Sequence, residues 1–340
     1  MTETSRYERQ ELVSFIGKKG QEKLRNKHVL LIGVGALGAA NAESLVRAGI
    51  GELTLVDRDY VELHNLHRQQ LFTEQDAINV IPKAVAAKKH LQKINSDCKI
   101  HRYILDVTTD NISYLAKNVD LILDCTDNFD IRMLINDISQ ELQIPWIYGA
   151  CIGTVGVVFP IIPKRSPCLH CILKKIPATY GTCDTIGVLP ATVQMVTSIQ
   201  LAEALKILVE DWDSVQKGVF LFDSWSNDYI ALNVEGAKEE SCPSCGNKRT
   251  YPYKNTQNVL TASMLCGNDT IQLKRKESMD YELKELAKRL SKQGKVKANN
   301  YLLHFEHEQF RLVIFHDGRT LVHGASNEEE AKQIYYQFLG

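Results

Sequence analysis

The stretch "HVLLIGVGALGAANAESLVRAG", from His28 to Gly49, constrains the fold of this chain more than any other. A short apolar run leads into Gly33, Gly35 and Gly38, and apolar residues at helical spacing follow at once. The stretch therefore predicts a strand, a tight turn and a helix. A second apolar run, "GELTLVD", ends on Asp57 and completes a β-α-β unit. Such a unit can bury its apolar faces only within a larger layered sheet.

The same alternation continues to about Pro163. Predicted strands "KIHRYILD", "VDLILDCTD" and "PWIYGA" are separated by helical segments such as "PKAVAAKKHLQKIN", "TTDNISYLAKN" and "NFDIRMLINDISQEL". The fold class expected is α/β, a Rossmann-like doubly wound parallel sheet. Before His28, the spacing of Leu12, Phe15, Ile16 and Leu24 predicts a helical arm able to reach a neighbouring subunit. After Gly149 come a β-rich run, "CIGTVGVVFPIIP", a polar loop to near Pro190, a long helix to Glu210 and the strands "GVFLFDSW" and "DYIALNVE". Periodicity vanishes around "SCPSCGNKRTYPYKNTQ". The domain reading is thus residues 1–250, a linker at 251–257 and a small α+β unit at 258–340, with a helix at "MDYELKELAKRLSKQG", antiparallel strands turning at Asp317-Gly318, and a closing helix "NEEEAKQIYYQFLG".

The 340 residues carry 40 basic and 41 acidic side chains, so no charge excess asks for nucleic acid or an acidic membrane as partner. The polar start "MTETSRYERQ" has no apolar signal-peptide core, and no run is long enough to cross a bilayer, which makes a cytoplasmic location the expectation. There, nine cysteines suit a metal site or a reactive thiol better than a disulfide framework.

Three groups of residues gather chemistry near the predicted carboxyl edge of the sheet, where open α/β folds bind ligands. The turn Gly33, Gly35, Ala36 and Gly38 sets backbone N–H groups and a helix N-terminus toward a phosphate, with Asp57 placed for ribose hydroxyls. The alternative is a tight turn with no ligand. After Asp57 and Asp59 comes a polar tract, His64, Asn65, Leu66, His67 and Arg68, and then Lys83 at a helix start. Arg68 and Lys83 together suit a triphosphate, the alternative being two solvated surface charges. Asp127, after an apolar strand with Asn128 beside it, suits an oxygen ligand to Mg²⁺, while helix capping accounts for one of the pair.

The cysteines sort by spacing. Cys168 and Cys171, with Cys242 and Cys245, form two C-x-x-C knuckles able to close a structural Zn²⁺ site. A redox dithiol is the rival reading, disfavoured because such a pair opens a helix and neither knuckle is expected to do so. Cys183, in the polar loop "ATYGTCDTIGVLP", is a candidate nucleophile or an incidental thiol, whereas Cys125 and Cys151 lie in apolar strands.

With these residues in place, the chain resembles the adenylyltransferases of the HesA/MoeB/ThiF family, relatives of the ubiquitin-activating enzymes. The likeness rests on the ordered set "RYERQ", "GVGALG", "LVDRD", "NLHRQ", "PK", "DCTDN" and the two cysteine pairs, over about three quarters of the chain. It implies adenylation, by MgATP, of the C-terminal glycine carboxylate of a small ubiquitin-like sulfur carrier ending in Gly-Gly. The carrier of molybdopterin synthase is the first expectation, that of thiamine thiazole synthesis the second, and a tRNA threonylcarbamoyladenosine dehydratase a more distant one. The resemblance also implies a homodimer. Arg9 would reach the partner's site, Asn65, Arg68 and Lys83 would hold the triphosphate, Asp57 the ribose and Asp127 the Mg²⁺. Ala36 stands where the family often has glycine. The segment "MLCGNDT" around Cys266 is unlike the active-site loop of the sulfurtransferase domain that some relatives append, leaving a separate sulfurtransferase as a possible partner.

Overall fold

The run that leads into the glycine turn forms β1 (His28–Ile32), and its residues from Val29 to Ile32 are all buried. Helices cover both faces of a parallel sheet, so its central strands are apolar at every position rather than at alternate ones. The computed structural model describes residues 5–173, 187–255, 263–265, 270–274, 281–307, 310–325 and, near the end, 331, 334–335 and 338–339. These fall into two compact units, one holding the described residues up to 255 and the other those from 263.

In the first unit β1 is joined by β2 (Glu52–Val56), β3 (Lys99–Tyr103), β4 (Leu121–Asp124), β5 (Trp146–Ile152), β6 (Val155–Ile161), β7 (Gly218–Asp223) and β8 (Asp228–Asn233). The order is β3-β2-β1-β4-β5-β6-β7-β8, parallel from β3 through β5 and antiparallel from β5 through β8. The doubly wound sheet is therefore as expected, with the β-rich extension added as antiparallel strands on one edge. Strand order reverses between β1 and β4, which opens a crevice at their carboxyl ends.

Helices α1 (Glu8–Glu11) and α2 (Gly17–Arg25) precede β1, and α3 (Ala36–Ala48) links it to β2. Helices α4 (Glu74–Ile78) and α5 (Lys83–Ile94) precede β3, α6 (Ile112–Leu115) and α7 (Phe129–Leu142) flank β4, and α8 (Leu169–Leu173) and α9 (Pro190–Leu208) lie between β6 and β7. Alanines at 39, 42 and 48 keep the buried side of α3 slim. The helix stops at Gly49, whose φ of +86° is the left-handed cap that glycine adopts without strain. Pro190 starts α9, where its missing N–H costs nothing, and α9 packs on α3 and across β5 and β6.

The N-terminal arm is helical, in two short pieces. The break falls at residues 12–16, and Gly17, which opens α2, has a φ of +55° that glycine adopts without strain. Leu24 is fully buried, while Leu12, Val13 and Phe15 are exposed in the intervening turn. Tyr7 is also buried in its own chain: its hydroxyl accepts a bond from Asn95 Nδ2 at 2.9 Å, and its ring would lie 2.5 Å from any Cβ at Gly49. The arm is thus partly rooted in its own fold.

Residues 251–255, in the segment read as the start of a linker, are bound to the first unit. Asp137 accepts backbone bonds from Tyr253 at 2.8 Å and Lys254 at 3.3 Å, and Lys254 Nζ pairs with Glu141 at 2.5 Å. Irregular turns of this kind have no periodicity to read.

The second unit is a six-stranded antiparallel sheet of β9 (Ser263–Leu265), β10 (Thr270–Leu273), β11 (Lys295–Ala298), β12 (Leu302–His307), β13 (Phe310–Phe315) and β14 (Thr320–His323), in the order β11-β12-β13-β14-β10-β9. One face is packed by α10 (Leu283–Leu290) and by the helical residues Ala331, Ile334, Tyr335, Phe338 and Leu339, all buried. Helix α10 ends at Leu290, before the predicted end at Gly294, where the backbone comes so close to β12 that a Cβ would lie 2.2 Å from the Glu306 carbonyl oxygen.

Candidate active site

Three glycines shape the turn after β1, each for a different reason. Gly33 has a φ of +87°, and a Cβ there would lie 2.6 Å from the Cys125 carbonyl oxygen at the end of β4. Gly38 has no room either, its Cβ position being 1.9 Å from the Gly33 carbonyl oxygen. Gly35 is different: only Gln69 Nε2, at 3.9 Å, comes near. The first two glycines permit close backbone packing, and the third leaves open space beside the N-terminus of α3. Ala36 is the first residue of that helix. Its N-terminal N–H groups have no partner within the helix and favour an anion.

The other sequence candidates converge on this turn. Asp57 is buried, and its carboxylate accepts from the N–H of Val34 at 2.5 Å and of Asp59 at 2.7 Å, which pins the turn to the end of β2. Lys83, the first residue of α5, donates from Nζ to Asp59 Oδ2 at 3.2 Å. Burial opposes the lysine's charge, but the nearby Asp59 and Asp57 outweigh it and raise its pKa above the ordinary lysine value. Asn65 is buried in a 3-10 turn, Leu63–Asn65, and its Oδ1 accepts from Arg68 Nη2 and Gln69 Nε2, both at 3.1 Å. Arg68 also donates to the His64 carbonyl oxygen at 3.2 Å. The tract therefore folds back beside Gly35 with its arginine held by two acceptors. Leu66 is half-buried in the main core, and His64 and His67 are exposed, His64 Nε2 lying 3.9 Å from Glu62 Oε2 and His67 Nδ1 3.0 Å from the His64 carbonyl oxygen.

Asp127 and Asn128 divide as their chemistry allows. Asn128 Oδ1 accepts from the Ile131 N–H at 3.1 Å and caps α7, while Asp127 stands exposed in the turn after β4. A single exposed carboxylate beside an anion cradle fits Mg²⁺, which is bound by one or two carboxylates together with phosphate oxygens.

One described candidate, Arg9, does not join this group. Arg9 is exposed on α1, which packs through Tyr7 against Gly49 and Asn95, the residues that end α3 and α5. Those ends are opposite the helix starts at the site, and a 13-residue helix is about 20 Å long. Cys183 lies outside the described residues, as does Cys266.

The knuckle cysteines meet elsewhere, on the other side of the sheet. All four are buried and their Sγ atoms lie within 4.8 Å of one another. The separations are 3.9 Å for Cys168–Cys171, 3.6 Å for Cys168–Cys242 and 3.5 Å for Cys171–Cys245. A tetrahedron with Zn–S bonds of about 2.3 Å has edges of about 3.8 Å, so the four thiols fit zinc. One expectation is corrected here: Cys168 does immediately precede a helix, α8, whose first residue, Leu169, donates its N–H to Asn136 Oδ1 at 2.9 Å. The redox reading is set aside instead by the convergence of four thiols, where a dithiol needs two.

The pattern of the ThiF family is matched by residues 7–244. The chain belongs to the ThiF family. Among its relatives, the sulfur carrier protein ThiS adenylyltransferase of Bacillus subtilis is 41% identical over 99% of this chain and 100% of its own length. The sulfur carrier protein adenylyltransferase of Thermus thermophilus is 33% identical over 73% of this chain and 93% of its own. In fold, this ThiF-family chain matches E. coli MccB, solved with ATP, at a TM-score of 0.62 and 21% identity, over 72% of this chain and 75% of that one.

Sequence reading missed several polar groups beneath and beside the site of this ThiF-family chain. Asp124, fully buried at the end of β4, pairs with Arg132 Nε at 3.2 Å, and the Arg132 guanidinium lies 5.1 Å from the centre of the Tyr148 ring. Arg132 also donates to the Thr126 carbonyl oxygen at 2.5 Å, which braces the turn carrying Asp127. Gln200 of α9 donates to the Asp124 carbonyl oxygen at 3.0 Å and accepts from Asn41 at 2.8 Å. Arg58 pairs with Asp106 at 3.3 Å. None of these pairs has a local signal, since the partners are distant in sequence or hidden within a helical repeat.

Proposed function

We propose that this chain adenylates the C-terminal glycine carboxylate of a ThiS-type sulfur carrier of thiamine thiazole synthesis, using ATP and releasing pyrophosphate. The observation that carries this reading is the gathering of the glycine turn, Asp57, Lys83, Asn65, Arg68 and Asp127 at one sheet edge, in a chain similar to the Bacillus subtilis enzyme over 99% of its length. The order of the two carriers expected from sequence is thereby reversed. Relatives named adenylyltransferase and sulfurtransferase MOCS3, such as that of Culex quinquefasciatus at 34% identity, align with 72% of this chain, and this chain spans 56% of that protein. The molybdopterin carrier remains the second reading.

The chemistry needs no general base. A carboxylate is already a nucleophile and pyrophosphate already a leaving group once its charge is balanced, so alignment and charge neutralisation are what the protein supplies. Asp57 takes the ribose, the N–H groups at Gly35, Ala36 and Gly38 face the phosphates, and Arg68 and Lys83 bring positive charge. Asp127 would hold a Mg²⁺, which supplies further charge neutralisation at the triphosphate. The four cysteines would hold a structural Zn²⁺ remote from the reaction. Arg9, about one helix length from its own site, serves the site of a second subunit in a homodimer, with the exposed Leu12, Val13 and Phe15 as apolar contact.

ATP–pyrophosphate exchange, measured with each candidate carrier, tests the reading. Exchange should depend on a carrier with an intact C-terminal Gly-Gly and be strongest with the thiamine carrier. Exchange with neither carrier overturns the proposal, and exchange confined to the molybdopterin carrier restores the second reading.

A further inference from the structure

Arg58 occupies a position that the expected contacts leave unused. It directly follows Asp57 at the carboxyl end of β2 and reaches across to the segment after β3, where its Nη1 lies 3.3 Å and 3.5 Å from the two carboxylate oxygens of Asp106. Its Nε lies 3.9 Å from Asp59 Oδ1, the carboxylate that also holds Lys83. The Arg58 and Asp106 side chains are only 16% and 14% exposed, so this is no solvated surface pair. Asp106 is itself held in place, since its carbonyl oxygen accepts from Asn111 Nδ2 at 2.8 Å.

Both carboxylates engage the guanidinium through its nitrogens. Hydrogen bonds and ion pairs of this kind use the edges of the planar group and leave its faces for stacking. Among the described residues no aromatic ring stacks on Arg58, whereas Arg25, Arg132, Arg165 and Arg319 each lie over one. With the ribose at Asp57 and the phosphates at the glycine turn, the base of a bound nucleotide must extend beyond the ribose, past the residue next to Asp57. We propose that Arg58 forms one wall of the adenine site, stacking its guanidinium face on the base, and that Asp106 is the positioning residue that fixes its plane. Burial opposes the charge of Arg58, but Asp106, Asp59, Asp127 and Asp57 outweigh it, so the group stays cationic. A cationic plane over an aromatic base is an attractive arrangement.

This inference rests on the ATP reading above, and its test separates the two. Calorimetry on the intact zinc-loaded protein would compare MgATP with magnesium tripolyphosphate, which carries the phosphates and no base. Arg58→Ala should weaken MgATP binding about tenfold and leave tripolyphosphate binding unchanged. Arg58→Lys, a point charge without a plane, should not restore ATP affinity. Asp106→Asn should give a smaller loss, again confined to ATP, and guards against Arg58→Ala failing to fold. Equal weakening toward both ligands would make Arg58 a phosphate cation and overturn the proposal. Unchanged ATP binding in folded Arg58→Ala, or full rescue by lysine, would overturn it equally. A wild-type protein that binds tripolyphosphate and ATP alike contradicts the adenine wall, whereas one that binds neither removes the ATP reading itself.

Discussion

Lys83 Nζ sits 3.2 Å from Asp59 Oδ2, and both groups stand at the edge where the glycine turn meets the end of β2. The lysine is only 9% exposed, so without this partner its charge would be costly.

The pair sets a pH dependence. The pKa of Lys83 is raised above 10.5 in the folded chain, so its contribution is complete below the unfolded value and is lost only as pH rises through the raised one. Adenylation should therefore show no loss from Lys83 at neutral or mildly alkaline pH. Lys83→Ala should lower adenylate formation by about two to three orders of magnitude. Asp59→Asn should move the alkaline limb of the pH–rate profile downward, and an unmoved limb would mean that Asp59 does not maintain the lysine's charge.

Asp127 and Asn128 should separate function from stability. Asp127→Asn removes an exposed charge that no helix uses, and adenylate formation should fall by about two to four orders of magnitude, or about 3–5 kcal/mol, with Tm unchanged. Asn128→Ala removes the cap of α7 and should cost about 1 kcal/mol of stability in a denaturant titration. A large loss of stability in Asp127→Asn would show the carboxylate to be structural.

The four-cysteine cluster predicts about one Zn²⁺ per chain. Elemental analysis of the purified protein should find it, and Cys168→Ser should lower both zinc content and Tm, because the site joins segments 74 residues apart. Retention of zinc and Tm in that variant would contradict a structural site.

Asp124 and Arg132 form a buried ion pair beneath the Asp127 turn. Arg132→Ala leaves a buried carboxylate unpaired and should cost about 3–5 kcal/mol in chemical unfolding. Replacing both residues with apolar ones should recover much of that stability without recovering activity, since the bond to the Thr126 carbonyl oxygen is lost. A double variant with normal activity would mean that the turn needs no brace.

Arg9 should act across a subunit boundary. Mixing inactive Arg9→Ala and Asp127→Asn subunits should restore about a quarter of wild-type activity, because random exchange makes half of the dimers hybrids with one intact site. No recovery despite exchange would place Arg9 in its own chain's site, and an active monomer would exclude the arrangement.

Much of this was legible before folding. The glycine turn, the alternation of β-rich and helical runs and the acidic residue closing β2 are local patterns, and a local pattern identifies an element whatever it later packs against. Spacing alone could not place the break in the helical arm ahead of Gly17, with its positive φ, and no local pattern marked the helix that begins directly after Cys168. Residues 251–255 offered no periodicity, yet Asp137, more than a hundred positions earlier, holds their backbone.

By itself, then, the sequence determined which elements form, which residue types line the carboxyl edge and that two cysteine pairs suit zinc, since each depends on spacing within one short segment. Only the tertiary structure decided which charges are paired: Lys83 with Asp59, Arg58 with Asp106, Arg132 with Asp124. It also decided that Asn128 rather than Asp127 caps α7, and that Arg9 lies at the far end of α3 and α5 from its own site. The reason is physical. Electrostatic and hydrogen-bond partners are chosen by proximity in the folded state, and proximity among strands whose paired residues lie 24 to 92 positions apart is created by sheet order, β3-β2-β1-β4, which no local periodicity encodes.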